Sequence, residues 1–191
     1  FYCNAVGSQT EIVFDGGSFA FDKQANLCGA LPMFESAMEI FECTEDGMIN
    51  APIIEPAARV PNKELNPLTL EPALNIDQVY KALVLGVKDY FTKMGFAKAI
   101  IGSSGGIDSA VTLVIACEAL GAENVRAVLM PSPYSTSHSV DDAVALSKNL
   151  QNPYDTIAIK EVYESFLNTL KPLFKDLPFS LAEENIQSRS R

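Results

Sequence analysis

Residues 102–109 read Gly-Ser-Ser-Gly-Gly-Ile-Asp-Ser, set between the apolar run Ala99-Ile100-Ile101 and a stretch from 110 to 120 patterned as a buried helix. No other segment constrains the fold as tightly. Two adjacent glycines between a strand and a helix allow torsions and a close approach that a Cβ would forbid, so successive amide N–H groups can point at one anion. The helix that follows brings its positive N-terminal end to the same spot. Ser104 and Ser109 offer hydroxyl donors. Asp108, a carboxylate inside an anion site, makes chemical sense mainly where a divalent cation such as Mg²⁺ bridges it to phosphate. No lysine follows Gly106, so this is not a Walker A loop, and Gly102, Gly105 and Gly106 do not have the dinucleotide G-x-G-x-x-G spacing.

The surrounding pattern gives that turn a fold. From Ile76 the apolar period is 3.6, with Val79, Leu83, Val84, Val87, Tyr90, Phe91 and Met94 along one face and Gly95 as the stop. Strand 98–102, the loop, helix 109–120, strand 125–130, helix 139–150, strand 155–159 and helix 160–171 then alternate, which specifies an α/β, doubly wound parallel sheet covered by helices. Right-handed crossovers put the βα loops at one sheet edge, so residues 102–109 and 130–138 are expected to share one crevice. Ser139 reads as the N-cap of the middle helix, and Pro172 as the point where the last helix ends or kinks.

Upstream the pattern differs. Residues 1–50 hold Lys23 alone against eight acidic side chains. Short apolar runs at 11–14, 19–21 and 38–43, with the turn Asp15-Gly16-Gly17-Ser18 after the first, read as strands and a hairpin. Pro52, Pro56, Pro61, Pro67 and Pro72 then defeat both helix and central strand. The expected division is therefore 1–50, a Pro-rich linker at 51–75, and 76–191.

A formal net charge of −10 excludes the basic footprint that nucleic acid or an anionic membrane requires. Cys3, Cys28, Cys43 and Cys117 form no C-x-x-C, and with His138 as the single histidine no zinc cluster can be assembled. All four read as packing residues, reduced as in a cytoplasm. No run approaches the roughly 18 uninterrupted apolar residues of a membrane span. The chain begins with Phe1 in a strand-like stretch, as a piece of something longer would.

The second βα loop, Met130-Pro131-Ser132-Pro133-Tyr134-Ser135-Thr136-Ser137-His138-Ser139, followed by Val140-Asp141-Asp142-Ala143, carries a family resemblance. Together with Ser104-Gly105-Gly106-Ile107-Asp108-Ser109, which fits the S-G-G-x-D-S pyrophosphate loop of ATP-dependent adenylating enzymes, it resembles the synthetase domain of glutamine-dependent NAD⁺ synthetases. Residues 4–18 look like the late part of that family's nitrilase-type glutaminase domain, and Ala182-Glu183-Glu184-Asn185-Ile186-Gln187-Ser188-Arg189 is similar to its E-E-N-I-Q-A-R segment. The resemblance implies an internal fragment: the end of a nitrilase-type α/β sandwich, then a sheet of the adenine-nucleotide α-hydrolase-like type, incomplete at its C-terminal end. It implies ATP and Mg²⁺ as cofactors, and deamido-NAD⁺ with glutamine or ammonia as substrates. It also implies a cytoplasmic homo-oligomer in full-length form, without nucleic acid or membrane. Gly102, Ser103, Ser104, Gly105, Gly106, Ile107, Asp108 and Ser109 would cradle pyrophosphate, with Asp108 on the metal and Pro131 and Tyr134 as further nucleotide contacts.

Departures and rivals bound that reading. The family's glutaminase Cys, Glu and Lys lie upstream of residue 4, so no catalytic residue is assigned here. Ser103, Ser188 and Ser190 replace small or apolar positions. His138 reads as a general base or a polar loop residue, Tyr134 as an adenine stack or packing, and Asn185 and Arg189 as nucleotide contacts or a solvated helix face. Tyr163, Phe166 and Phe174 read as core. The rival functions are another pyrophosphate-loop adenylating enzyme, and a nucleotide-binding fragment with no activity of its own.

Overall fold

The structure is a computed structural model that describes residues 1–45, 47, 49, 72–174 and 181–191; most of the linker expected at 51–75 lies outside them. Two compact units divide it, Phe1–Phe96 and Ala97–Arg191. No helix among the described residues is long and apolar enough to cross a membrane.

The first unit opens with two antiparallel hairpins: β1 (Val6–Gln9) with β2 (Ile12–Asp15), and β3 (Phe19–Phe21) with β4 (Leu27–Ala30). The glycine turn at 15–18 exists, Gly16 and Gly17 both at positive φ, but it joins the hairpins instead of closing one. Strands β1 and β4 escape sequence reading because Val-Gly-Ser-Gln and Leu-Cys-Gly-Ala show no apolar alternation. The strand expected at 38–43 does not form; of that run only Cys43 bridges, to Ile49, and extended backbone without a neighbour has no ladder to join.

Helix α1 (Pro72–Met94) starts four residues ahead of Ile76, with Pro72 at the first helical position where its missing N–H costs nothing. Gly95, at φ 72°, ends it by donating its N–H to the Thr92 carbonyl. The helix meets β1 through polar atoms. The Ser8 amide donates to Asp89 Oδ2 at 2.6 Å, the Ser8 hydroxyl to the Gly86 carbonyl at 3.3 Å, and Lys93 pairs with Asp89 at 2.9 Å while also donating to the Ser8 carbonyl. Of the apolar stripe read from sequence, Val79, Leu83, Tyr90 and Met94 stay exposed.

In the second unit β5 (Ala99–Gly102), β6 (Val125–Leu129) and β7 (Tyr154–Thr156) form a parallel sheet in the order β5-β6-β7. Around them run α2 (Ile107–Leu120), α3 (Ser137–Leu150), α4 (Lys160–Phe174) and α5 (Leu181–Ser190), with a 3-10 turn at Ala122–Asn124. Every second residue of β6 is buried: Val125, Ala127 and Leu129 pack with Leu113, Ala116 and Cys117 of α2 and Ala143 of α3. Ala99 and Ile101 of β5 and Tyr154 of β7 join the same side, as a pleat of period two requires. The other face carries exposed Ile100 and the Arg126–Asp155 ion pair at 2.6 Å. Helices α2 and α3 both pack on the buried face, because strands in sequential order with right-handed crossovers place their connecting helices on one side. Helix α4 runs through Pro172 to Phe174, and Phe166 is exposed although Tyr163 beside it is buried, so only part of the expected aromatic stripe is core.

The Ser8 amide, and after it Lys93, holds the Asp89 carboxyl below the usual carboxylate range. A lowered folded pKa means that this contribution is present above the unfolded value and is lost as pH falls through the folded one. Protection from amide exchange across β1 and α1, relative to the intrinsic rate at each pH, should therefore fall below about pH 4, and Asp89→Asn should show less of that acid dependence. An equal acid response in the variant would exclude Asp89 as its source.

Candidate functional site

Strand β5 delivers the chain into the 102–109 turn, and the Ser103 amide extends the ladder by donating to the Val128 carbonyl at 2.9 Å. The two hydroxyls expected to face a ligand instead build the turn. Ser109 Oγ accepts from the Ser104 amide at 3.1 Å and donates to the Gly106 carbonyl at 3.0 Å. Ser104 Oγ accepts from the Gly106 amide at 3.2 Å and lies 3.0 Å from Ser109 Oγ, so both hydroxyl protons are used inside the loop. In this loop the donors left without a partner are backbone amides. As the first residues of α2, Ile107 and Asp108 have amides with no intrahelical acceptor, at the positive end of the helix dipole. The Asp108 side chain is exposed at that end.

The second loop meets the first through Gly105. This residue sits at φ 80°, and a Cβ there would lie 2.0 Å from the Ser139 carbonyl oxygen and 2.8 Å from its Cα. The convergence read from alternating elements is therefore a backbone-to-backbone contact. The N-cap of α3 is Thr136, not Ser139: Thr136 Oγ1 accepts from the Ser139 amide at 3.2 Å. Its hydroxyl stands three residues before that amide, the spacing a cap requires, whereas Ser139 is already inside the helix.

A cleft of about 200 Å³ opens between the loops. It is lined by Gly102, Ser103 and Ser104 of the first loop, Met130, Pro131 and Ser135 of the second, Val140 and Ala143 of α3, and Arg191. Of the residues expected from sequence, Pro131 and the first part of the turn thus share one wall-to-wall space. Tyr134 stands apart: its ring meets Tyr163 edge-on at 5.9 Å and its hydroxyl lies 3.4 Å from that of Tyr163. His138 is exposed in the first turn of α3. Ser135, Val140 and Arg191 were not foreseen; Ser135 had a signal in its place within the second loop, Arg191 none.

Among the described residues no group of three His, Cys, Asp or Glu side chains could hold a metal unaided. Asp108 offers the hard oxygen ligand that suits Mg²⁺, an ion that takes one or two carboxylates and completes its shell with phosphate and water. Cys117 is buried in the core, and burial pushes its thiol up, away from the nucleophilic thiolate. Cys3 and Cys43 are exposed, so the packing reading holds for Cys117 and not for them.

Two substitutions test the loop's construction. Gly105→Ala should cost at least about 2 kcal/mol, since both φ and the Ser139 carbonyl oppose a Cβ. Ser103→Ala should be neutral or stabilising by up to about 1 kcal/mol, because Ser103 Oγ is buried with no hydrogen-bond partner among the described residues. Chemical denaturation of both variants measures the contrast, and a tolerated Gly105→Ala would refute the backbone contact.

The sequence model of NAD synthase matches residues 79–191. A glutamine-dependent NAD(+) synthetase of Synechocystis sp. is 44% identical over 190 residues, covering 100% of this chain and 32% of its own length. That of Thermotoga maritima is 37% identical over 208 residues, covering 100% and 36%. The chain spans about a third of the length of these relatives. Among solved structures, glutamine-dependent NAD+ synthetase from Acinetobacter baumannii in complex with ADP superposes with a TM-score of 0.83 at 34% identity, covering 100% of this chain and 34% of that one. NMN synthetase from Francisella tularensis gives 0.53 at 28% identity over 59% of this chain and 45% of its own. With a family match over residues 79–191 and relatives aligned along its whole length, the chain belongs to the NAD synthase family.

Proposed function

We propose that the chain forms the nucleotide-binding part of an ATP-dependent amide synthetase that converts deamido-NAD⁺ to NAD⁺, with ammonia drawn from glutamine in the full-length form. The observation that carries this is the seating of the Gly105 backbone against Ser139, which puts an amide-lined turn and the second βα loop around one cleft. A free carboxylate is a poor acyl donor because its oxygen is a poor leaving group. Attack of the substrate carboxylate on the α-phosphorus of ATP would form an acyl adenylate and release pyrophosphate; attack of ammonia on the acyl carbon would then form the amide and release AMP. The chain's part is to bind and orient the phosphates: the Ile107 and Asp108 amides and the α2 dipole face the charge that grows on the departing pyrophosphate. Asp108 would hold Mg²⁺, which when bound supplies charge neutralisation between the phosphate oxygens.

The reading includes a glutaminase origin for residues 1–50, a linker at 51–75 and the start of the synthetase domain at 76–191. It also includes a cytoplasmic, homo-oligomeric full-length form. Similarity to relatives named for glutamine and NAD(+), and to a structure solved with ADP, supports it.

Calorimetric titration with Mg·ATP is the first test. Asp108→Ala should weaken binding about tenfold or more, while Ser103→Ala leaves it unchanged; equal effects would remove the metal role from Asp108. Turnover is the second. With Mg·ATP, deamido-NAD⁺ and ammonium, the full-length form should release AMP and NAD⁺, whereas residues 1–191 alone should run slower by orders of magnitude, because a doubly wound site needs about five strands to position its groups. Absence of turnover by the full-length form would sink the assigned reaction.

A further inference from the structure

The second loop contains a closed set of hydroxyl hydrogen bonds that ends at the cleft. Ser132, buried to 7% exposure, stands at its centre. Its Oγ accepts from the Tyr134 amide at 3.2 Å and from Gln187 Nε2 of α5. A hydroxyl oxygen has two lone pairs, so these donors fill both, and the Ser132 proton must be given away. Ser135 Oγ, 3.2 Å distant, takes it. Ser135 Oγ also accepts from the Ser132 amide at 2.9 Å, which fills its second lone pair. Among the described residues the Ser135 proton then has no acceptor within the loop, and Ser135 lines the cleft together with Gly102, Ser103 and Ser104.

We propose that Gln187 is a positioning residue that sets the direction of this hydroxyl chain, so that Ser135 presents an O–H, never a lone pair, to an acceptor atom of the nucleotide in the cleft. The inference rests on the reading of the cleft as a nucleotide site. An amide at 187 does two things that an apolar side chain of similar length cannot. It ties α5, anchored by buried Ile186, to the 132–135 turn, and it occupies the lone pair through which Ser132 would otherwise accept the Ser135 proton. With that lone pair vacated, the Ser132–Ser135 bond can reverse and the donor facing the cleft is lost. The four loop atoms that define the polarity come from residues 132 to 135, but the group that decides it lies 55 positions along the chain from Ser132.

The experiment is a double-mutant cycle in this chain, titrated with Mg·ATP, using Ser135→Ala, Gln187→Met and their combination, with Ser135→Thr as the variant that keeps the donor. Each of the first two should raise Kd about tenfold, as loss of one hydrogen bond to the ligand does, and the combination should be no worse than Ser135→Ala alone. Ser135→Thr should stay within about threefold of the parent chain. Multiplication of the two effects would show that Gln187 acts independently of Ser135 and overturn the proposal. Unchanged affinity in Ser135→Ala would overturn it too, and that small-residue change at the cleft wall does not depend on how α5 tolerates Gln187→Met. Binding by the parent chain with unchanged variants defeats only the assignment of Ser135 and Gln187, whereas a parent chain that binds no Mg·ATP defeats the nucleotide reading and this inference together.

Discussion

A single hydrogen atom at Gly105 decides whether the two βα loops can meet. Any other side chain would set a carbon 2.0 Å from the Ser139 carbonyl oxygen, well inside van der Waals contact. Because the obstacle is helix backbone, it cannot rotate away as a side chain could. The rest of the second unit is arranged to permit that approach. β5 and β6 are adjacent and parallel, so their following loops leave the same sheet edge. Helices α2 and α3 share the buried face of β6, which brings the start of one beside the start of the other.

The polar groups around the cleft follow a second constraint: a turn without regular secondary structure must find partners for its own amides before it can offer donors to a ligand. In the first loop Ser104 and Ser109 do this for the amides of Ser104 and Gly106. In the second, Ser132 and Ser135 do it for Tyr134 and Ser132. The same residue type thus plays opposite parts. Three of these four hydroxyls are consumed in shaping the loops, and what the first loop leaves unpartnered are helix-start amides, whose direction is fixed by the backbone and needs no side-chain entropy.

The first unit is organised by a different contact. Asp89 accepts from the Ser8 amide and pairs with Lys93, joining β1 to α1 through polar atoms while Val79, Leu83, Tyr90 and Met94 of the same helix stay exposed. Close approach is again glycine-dependent, since a Cβ at Gly7 would lie 2.9 Å from Asp89 Oδ2. Helix α1 packs along the β1–β2 hairpin, and its Gln78 donates to Met33 Sδ at 3.5 Å.

Local chemistry was legible in the chain wherever it acts between near neighbours. The alternation of apolar runs specified a parallel α/β sheet, the glycine pair marked a turn at a helix start, and the Met130 to Ser139 stretch marked the facing loop, because periodicity, turn chemistry and helix starts are properties of consecutive residues. What pairs with what was not legible there. That Gly105 rests on Ser139, that α5 reaches back from Gln187 to Ser132, that Tyr134 turns to Tyr163 and that β1 and β4 become strands at all depend on partners supplied from elsewhere in the chain. A hydroxyl in a sequence is donor and acceptor at once; only the three-dimensional arrangement of its neighbours leaves it one role, by filling its lone pairs or claiming its proton.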